Sequence, residues 1–176
     1  RLPTGWTEIY RETVVNNPKG LLAIFKAAGG ETGNLAVTLT SSTAKGIMVS
    51  YTGVDTATPQ DATATNVSLD AATDSTIDIP AITTVTADTM EIYGCASNSS
   101  TVTHTAAGTE NVDYAATKAG ALYDNPFVGP GSTGVVTITQ SAARAYWGAM
   151  CVLRPAAGGG GGPTLFSRLS LLGVGR

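Results

Sequence analysis

Hydrophobic residues along this chain recur at every second position rather than at every third or fourth. In NLAVTLT, Leu35, Val37 and Leu39 point one way while Ala36, Thr38 and Thr40 point the other. GIMVSY sets Ile47, Val49 and Tyr51 on one face, and TIDIP sets Ile77 and Ile79 on one face with Asp78 outward. TGVVTITQ alternates Val136 and Ile138 with Thr137 and Thr139. Successive side chains of a strand leave on opposite faces, so a period of two predicts half-buried strands. No window carries the apolar stripe of an amphipathic helix, because Gly, Thr and Ser interrupt every candidate.

A second kind of run is apolar on both faces: GLLAIFKAA (Gly20–Ala28), MEIYGCA (Met90–Ala96) and AYWGAMCVL (Ala145–Leu153). These predict central strands covered on both sides, or strands lying beneath a partner subunit. The segments VNNPKG, AAGGETGN, DTATPQD and NPFVGPGSTG separate the strands with turn-forming Gly, Pro, Asn and Asp. Many short strands joined by polar turns predict an all-β, antiparallel β-sandwich, jelly-roll-like in its winding. Residues 98–131 mix small polar residues with isolated aromatics and predict long surface loops with one or two edge strands. Loops on a rigid scaffold are where binding specificity concentrates. Tyr114, Tyr123 and Phe127 are therefore the candidate ligand-stacking residues of this region.

Composition narrows the chemistry. The 176 residues suffice for one sizeable domain. They are 43% hydrophobic and only 13% charged, about half the usual charged share, so Thr, Ser and Asn must supply much of the polar surface. The net charge is −3 and the ten Lys and Arg are scattered, which argues against nucleic acid as a partner. No apolar run approaches the roughly 20 residues that span a bilayer, so no membrane insertion is expected. Cys95 and Cys151 lie in strand-like runs; they read as two buried small hydrophobes, or as a bridge between neighbouring strands if within reach.

The C-terminal part changes character. The expected division is a β-sandwich over 1–157, a glycine linker over Gly158–Gly162, and an apolar docking arm over 163–176. A solvated tail would be polar, whereas this one carries Leu165, Phe166, Leu169, Leu171 and Leu172. Either it folds back on its own domain or, the preferred reading, those five residues dock into a neighbouring subunit.

Candidate catalytic chemistry is sparse. His104 is the only histidine, and a Ser-His-Asp arrangement would need it as general base. It sits in the polar stretch TVTHTAAGTE, no G-x-S-x-G elbow occurs, and a surface histidine is expected. No carboxylate pair stands out for glycoside hydrolysis, and no phosphate-binding or dinucleotide fingerprint is present. Trp6 and Trp147 read as core packing. Asp55 and Asp61 flank a Thr- and Pro-rich loop whose spacing does not match a calcium-binding loop. They read as corner-makers: Asp55 accepting backbone N–H groups, Asp61 closing the far side. No cofactor, metal or catalytic residue is expected.

Five segments in order carry a resemblance: PTGWTEIYRE (Pro3–Glu12), GLLAIFKAAGGE (Gly20–Glu31), IMVSYTGVDTATPQDA (Ile47–Ala62), PAITTVTADTMEIYG (Pro80–Gly94) and AYWGAMCVLRPA (Ala145–Ala156). Together they resemble a β-sandwich domain of tailed-phage structural proteins, over roughly residues 3–156. The resemblance implies a non-enzymatic virion component on the outside of the particle: head decoration, head fibre or tail-fibre module. Members of that family usually carry strands upstream of the Gly-Trp, which here is Gly5-Trp6. Those strands either belong to a longer precursor or are missing, which would leave a sheet edge open to strand donation. The expected partners are other copies of the chain and other virion proteins. The alternative is a host-surface carbohydrate-binding module.

Overall fold

The computed structural model describes residues 6–11, 20–25, 46–69, 74–115, 118–157 and 168–171. Within these, each alternating run becomes a strand and none becomes a helix. In chain order the strands are β1 (Trp6–Arg11), β2 (Leu21–Phe25), β3 (Met48–Tyr51), β4 (Thr65–Leu69), β5 (Thr76–Ile79), β6 (Thr83–Thr84) and β7 (Thr89–Ser97). They continue with β8 (His104–Ala106), β9 (Thr109–Ala115), β10 (Ala119–Phe127), β11 (Gly131–Ser132), β12 (Val136–Gln140), β13 (Tyr146–Leu153) and β14 (Arg168–Leu171). NLAVTLT lies outside the described residues.

A five-stranded antiparallel sheet, ordered β4-β13-β7-β10-β9, is the centre of the molecule. A three-stranded antiparallel sheet, β5-β12-β8, lies on one of its faces. Between them Ile77, Ile79 and Ile138 from the small sheet meet Tyr93, Cys95, Ala121, Tyr123, Tyr146, Met150 and Val152 from the large one. This is the β-sandwich that the alternation implies. Burying side chains of this size is worth roughly 1.5–3 kcal/mol each.

The opposite face of the large sheet is also covered. There Met90, Ile92, Cys151 and Leu153 pack against Leu22 and Ile24 of β2 and Tyr51 of β3. β7 and β13 are thus buried on both sides, which is why their sequences lack polar alternation. β1 pairs with β2, β6 with β11, and β3 with β14.

Two glycines show how closely the layers approach. A Cβ on Gly148 would lie 2.7 Å from Ile77 Cγ2, so β5 rests on bare backbone of β13. A Cβ on Gly20 would lie within the Trp147 ring, 1.9 Å from Cδ2, so the chain entering β2 crosses the indole directly. Trp147 is buried at 8% exposure, as expected for core packing; the Trp6 side chain lies outside what is described.

The stretch expected to be mainly surface loop is instead mostly sheet. Residues 98–131 contain β8, β9 and all nine residues of β10, which lies between β7 and β9. Ala119, Gly120 and Ala121 are too small to register as apolar anchors, and buried Asp124 breaks the alternation. Those two features hide β10 from a periodicity reading.

Candidate functional site

His104 is not on the surface. It is 1% exposed, and the expectation of a surface histidine is corrected by the strand it belongs to. In TVTHTA, Val102, His104 and Ala106 alternate with exposed Thr101, Thr103 and Thr105, so the histidine shares the inward face with an apolar neighbour on either side. That signal is present in the sequence but is masked by the surrounding threonines.

Inside the sandwich His104 Nε2 lies 2.8 Å from Ser97 Oγ on β7. Its Nδ1 lies 3.2 Å from Asp113 Oδ1 on β9, and its backbone N–H donates to Asp113 Oδ2 at 2.9 Å. Ser97 Oγ in turn donates to Gln140 Oε1 on β12 at 2.5 Å. The Gln140 Nε2 donates to the carbonyls of Asp74 and Arg144, both at 3.3 Å. Serine, histidine and aspartate therefore stand in the order of a hydrolytic triad. Ser97, however, is 0% exposed and its proton is committed to Gln140. A nucleophile must reach its substrate, and this hydroxyl is sealed between two sheets. What the arrangement does chemically is join β7, β8, β9 and β12 through hydrogen bonds in a low-dielectric interior, where leaving any one unmade is costly.

The Asp55–Asp61 loop is a corner in the structure. Asp55 Oδ1 accepts the N–H groups of Ala57 at 2.8 Å and Thr58 at 3.2 Å, and Oδ2 accepts Thr58 Oγ1 at 2.9 Å. These bonds, the Ala57 N–H foremost, hold its carboxyl below the ordinary value. Asp61 closes the other side. Its Oδ2 accepts Val85 N–H at 2.7 Å and Thr86 N–H at 3.3 Å, and its Oδ1 accepts Arg154 Nε at 3.1 Å. The loop backbone continues the edge of the large sheet, with Asp55 N–H on Arg154 O and Asp61 N–H on Val152 O, each at 2.9 Å. Every carboxylate oxygen is spent on the turn. Asp55→Ala is expected to lower the melting temperature modestly while leaving oligomeric state unchanged, as calorimetry and light scattering would show; altered assembly at wild-type stability would contradict the corner role.

The three candidate stacking aromatics do not form one platform. Tyr123 is 1% exposed and its ring stacks on Tyr93 with centroids 5.7 Å apart, so it belongs to the core. Tyr114 is half-buried opposite Gly120, and Phe127 lies against Gly129. Gly120 and Phe127 stand near opposite ends of β10, roughly 20 Å apart at about 3.3 Å per residue.

Two buried acids escaped sequence reading. Glu91, 2% exposed, accepts Asn125 Nδ2 at 3.0 Å, and burial raises its carboxyl. Asp124, 5% exposed, accepts the Tyr51 hydroxyl at 3.1 Å and Asn111 Nδ2 at 3.0 Å. Glu91 shares a sheet face with Tyr93, whereas Asp124 shares the other face with Leu122. The two carboxyl groups therefore cannot flank one sugar. No cluster of three or more potential metal ligands occurs among the described residues.

Cys95 and Cys151 are free and buried. They point to opposite faces of the large sheet, Cys95 into the sandwich and Cys151 toward β2 and β3, so no bridge joins them. Burial pushes both thiols up to about 12, which keeps them in the unreactive protonated form.

Of the docking residues, Leu169 and Leu171 lie in β14, whose backbone pairs antiparallel with β3: Leu169 opposite Ser50, Leu171 opposite Met48. Leu165, Phe166 and Leu172 lie outside the described residues, as does the glycine run Gly158–Gly162. No family model matches the chain, and no curated protein or solved structure matches it.

Proposed function

We propose that this chain is a non-enzymatic structural protein of a phage-like particle. In this reading the sandwich is displayed on the outer surface, as decoration or fibre, and the C-terminal arm fastens it to neighbouring subunits and other virion proteins. The observation nearest to the reading is the β14–β3 pairing, which lies within one chain and is the fold-back alternative for the arm. In the assembly we take the same segment to add its strand to β3 of a neighbouring copy, since strand addition through main-chain hydrogen bonds is a common means of joining one chain to another. The ordered resemblance to tailed-phage sandwich domains supports it. So does the Tyr51–Asp61 segment, which lies within that resemblance and forms a corner through Asp55 and Asp61.

The energetics are consistent with an anchor. Burying a leucine or phenylalanine contributes roughly 1.5–3 kcal/mol, so a few of Leu165, Phe166, Leu169, Leu171 and Leu172 can offset the ordering cost of a tethered segment. Deleting residues 163–176 is expected to abolish incorporation into particles and reduce oligomers to monomers in light scattering. Circular dichroism should still report the β-sandwich. Unchanged incorporation by the folded, truncated chain would overturn the reading.

A further inference from the structure

We propose that the His104–Asp113 pair is a proton-operated lock, holding one proton more than a neutral imidazole and a carboxylate do, whose loss as pH rises releases β8 from the sandwich. The inference goes beyond assembly and rests on counting donors and acceptors inside the network. Both N–H groups of the Gln140 amide point to the Asp74 and Arg144 carbonyls, so Oε1 is the atom facing Ser97. Serine has one proton, and that proton goes to Gln140 Oε1 at 2.5 Å. Ser97 Oγ can then offer His104 Nε2, 2.8 Å away, only a lone pair. Nε2 must carry a hydrogen. On the other side Nδ1 faces Asp113 Oδ1 at 3.2 Å, and a carboxylate only accepts. Nδ1 must carry a hydrogen as well, or share one with Asp113. Carboxylic acids are stronger acids than imidazolium, which places the proton on the ring. The pair as a unit is a buried imidazolium and carboxylate with no net charge.

The surroundings leave this pair as the titrating unit. Asp113 on β9 is the charged group facing the ring. Cys95 on β7 and Tyr123 on β10 are the other titratable groups coupled to Asp113, and burial pushes both up: the thiol to about 12, the phenol higher still. From β12 the contact is the neutral Gln140. Asp74 and Arg144 meet the network through main-chain carbonyls, and the Arg144 guanidinium donates to Ala143 O.

When the proton leaves, Ser97 has one hydrogen for two acceptors, His104 Nε2 and Gln140 Oε1. One buried acceptor is left unsatisfied, which favours local opening by roughly tenfold to a hundredfold. The strand that opens is β8, three residues long, held on β12 by the Gln140–His104, Thr139–Thr105 and Ile138–Ala106 pairs. Because the closed form binds the extra proton, the lock is closed at low pH and released as pH rises.

The test uses the full chain. His104 is the only histidine, so nitrogen NMR of histidine-labelled protein reads its two ring nitrogens without assignment. At about pH 5.5, where an ordinary histidine is mostly protonated, both nitrogens are expected to carry protons in the folded protein. Hydrogen-exchange protection of β8 relative to β7 is expected to fall as pH rises, by up to about tenfold per pH unit while the closed form keeps a proton that the open form has lost. It should level off, about tenfold to a hundredfold lower, once both have lost it. Gln140→Leu frees the Ser97 proton for Nε2, and the fall should then disappear. An unprotonated ring nitrogen in the folded protein at that pH, or a β8-to-β7 protection ratio that stays flat as pH rises, would overturn the proposal.

Discussion

Asp61→Ala is expected to cost about 1–3 kcal/mol of stability for each buried donor that it leaves without an acceptor. The Asp61 side chain is 0% exposed while that of Arg154 is 28% exposed. The carboxylate ties three separated parts of the chain together: its own loop, the turn at Val85 and Thr86, and Arg154 just beyond β13. Alanine leaves two backbone N–H groups and Arg154 Nε without their acceptor, while the rest of the guanidinium keeps Thr58 Oγ1 and the main-chain carbonyl of residue 61. Arg154→Ala should cost less, because Val85 and Thr86 still satisfy the carboxylate. Urea denaturation of the two variants measures both effects, and a loss below about 1 kcal/mol for Asp61→Ala would remove Asp61 from its structural role.

The same residue predicts an acid dependence. Burial by itself raises the Asp61 carboxyl, but the bonds from Thr86, Val85 and Arg154 outweigh it and hold the group below its ordinary 3.8. A carboxyl depressed in the folded state stabilises fully above its unfolded value and loses that contribution as pH falls through the folded one. The gap between wild type and Asp61→Ala should therefore be complete above about pH 4 and close progressively in stronger acid. Glu91 acts in the opposite sense: burial raises its carboxyl, so ionising it near and above its ordinary value works against folding.

Gly148→Val is the second large effect. Even the first added carbon would sit 2.7 Å from Ile77 Cγ2 and 3.2 Å from Ile79 Cγ1. Both isoleucines are 0% exposed and cannot move outward without parting the sheets. Overpacking of this kind costs about 1–3 kcal/mol for small additions, so Gly148→Ala should fall in that range and Gly148→Val beyond it. Ile77→Ala removes the opposing methyl. In that background the Gly148→Ala penalty should shrink, a coupling that a double-mutant cycle reads directly. Wild-type melting of Gly148→Val would show that β5 does not rest on β13.

Local patterning carried much of the fold. Val136 and Ile138 against Thr137 and Thr139 predicted β12, and the unbroken apolar runs around Ile92 and Met150 predicted strands covered on both sides. The Asp55–Thr58 turn was equally legible, because an aspartate bonding the N–H groups two and three residues ahead is a local event. β10 was not legible, since Ala119 to Ala121 are small and Asp124 is buried with partners as distant in sequence as Tyr51. The aromatics Tyr114, Tyr123 and Phe127 looked like loop residues for the same reason.

By itself, then, the sequence determined the all-β class and those strands and turns, β12, β13 and the Asp55 corner among them, whose side-chain alternation and turn chemistry act between near neighbours. Only the tertiary structure decided what the polar residues do. Ser97, His104, Asp113 and Gln140 are brought within hydrogen-bond reach by the pairing of β7, β10 and β9 and of β12 with β8. Asp61 likewise meets Arg154 across 93 positions. Such groups are stable inside a protein only when every donor finds an acceptor, and that condition is met between strands far apart in the chain.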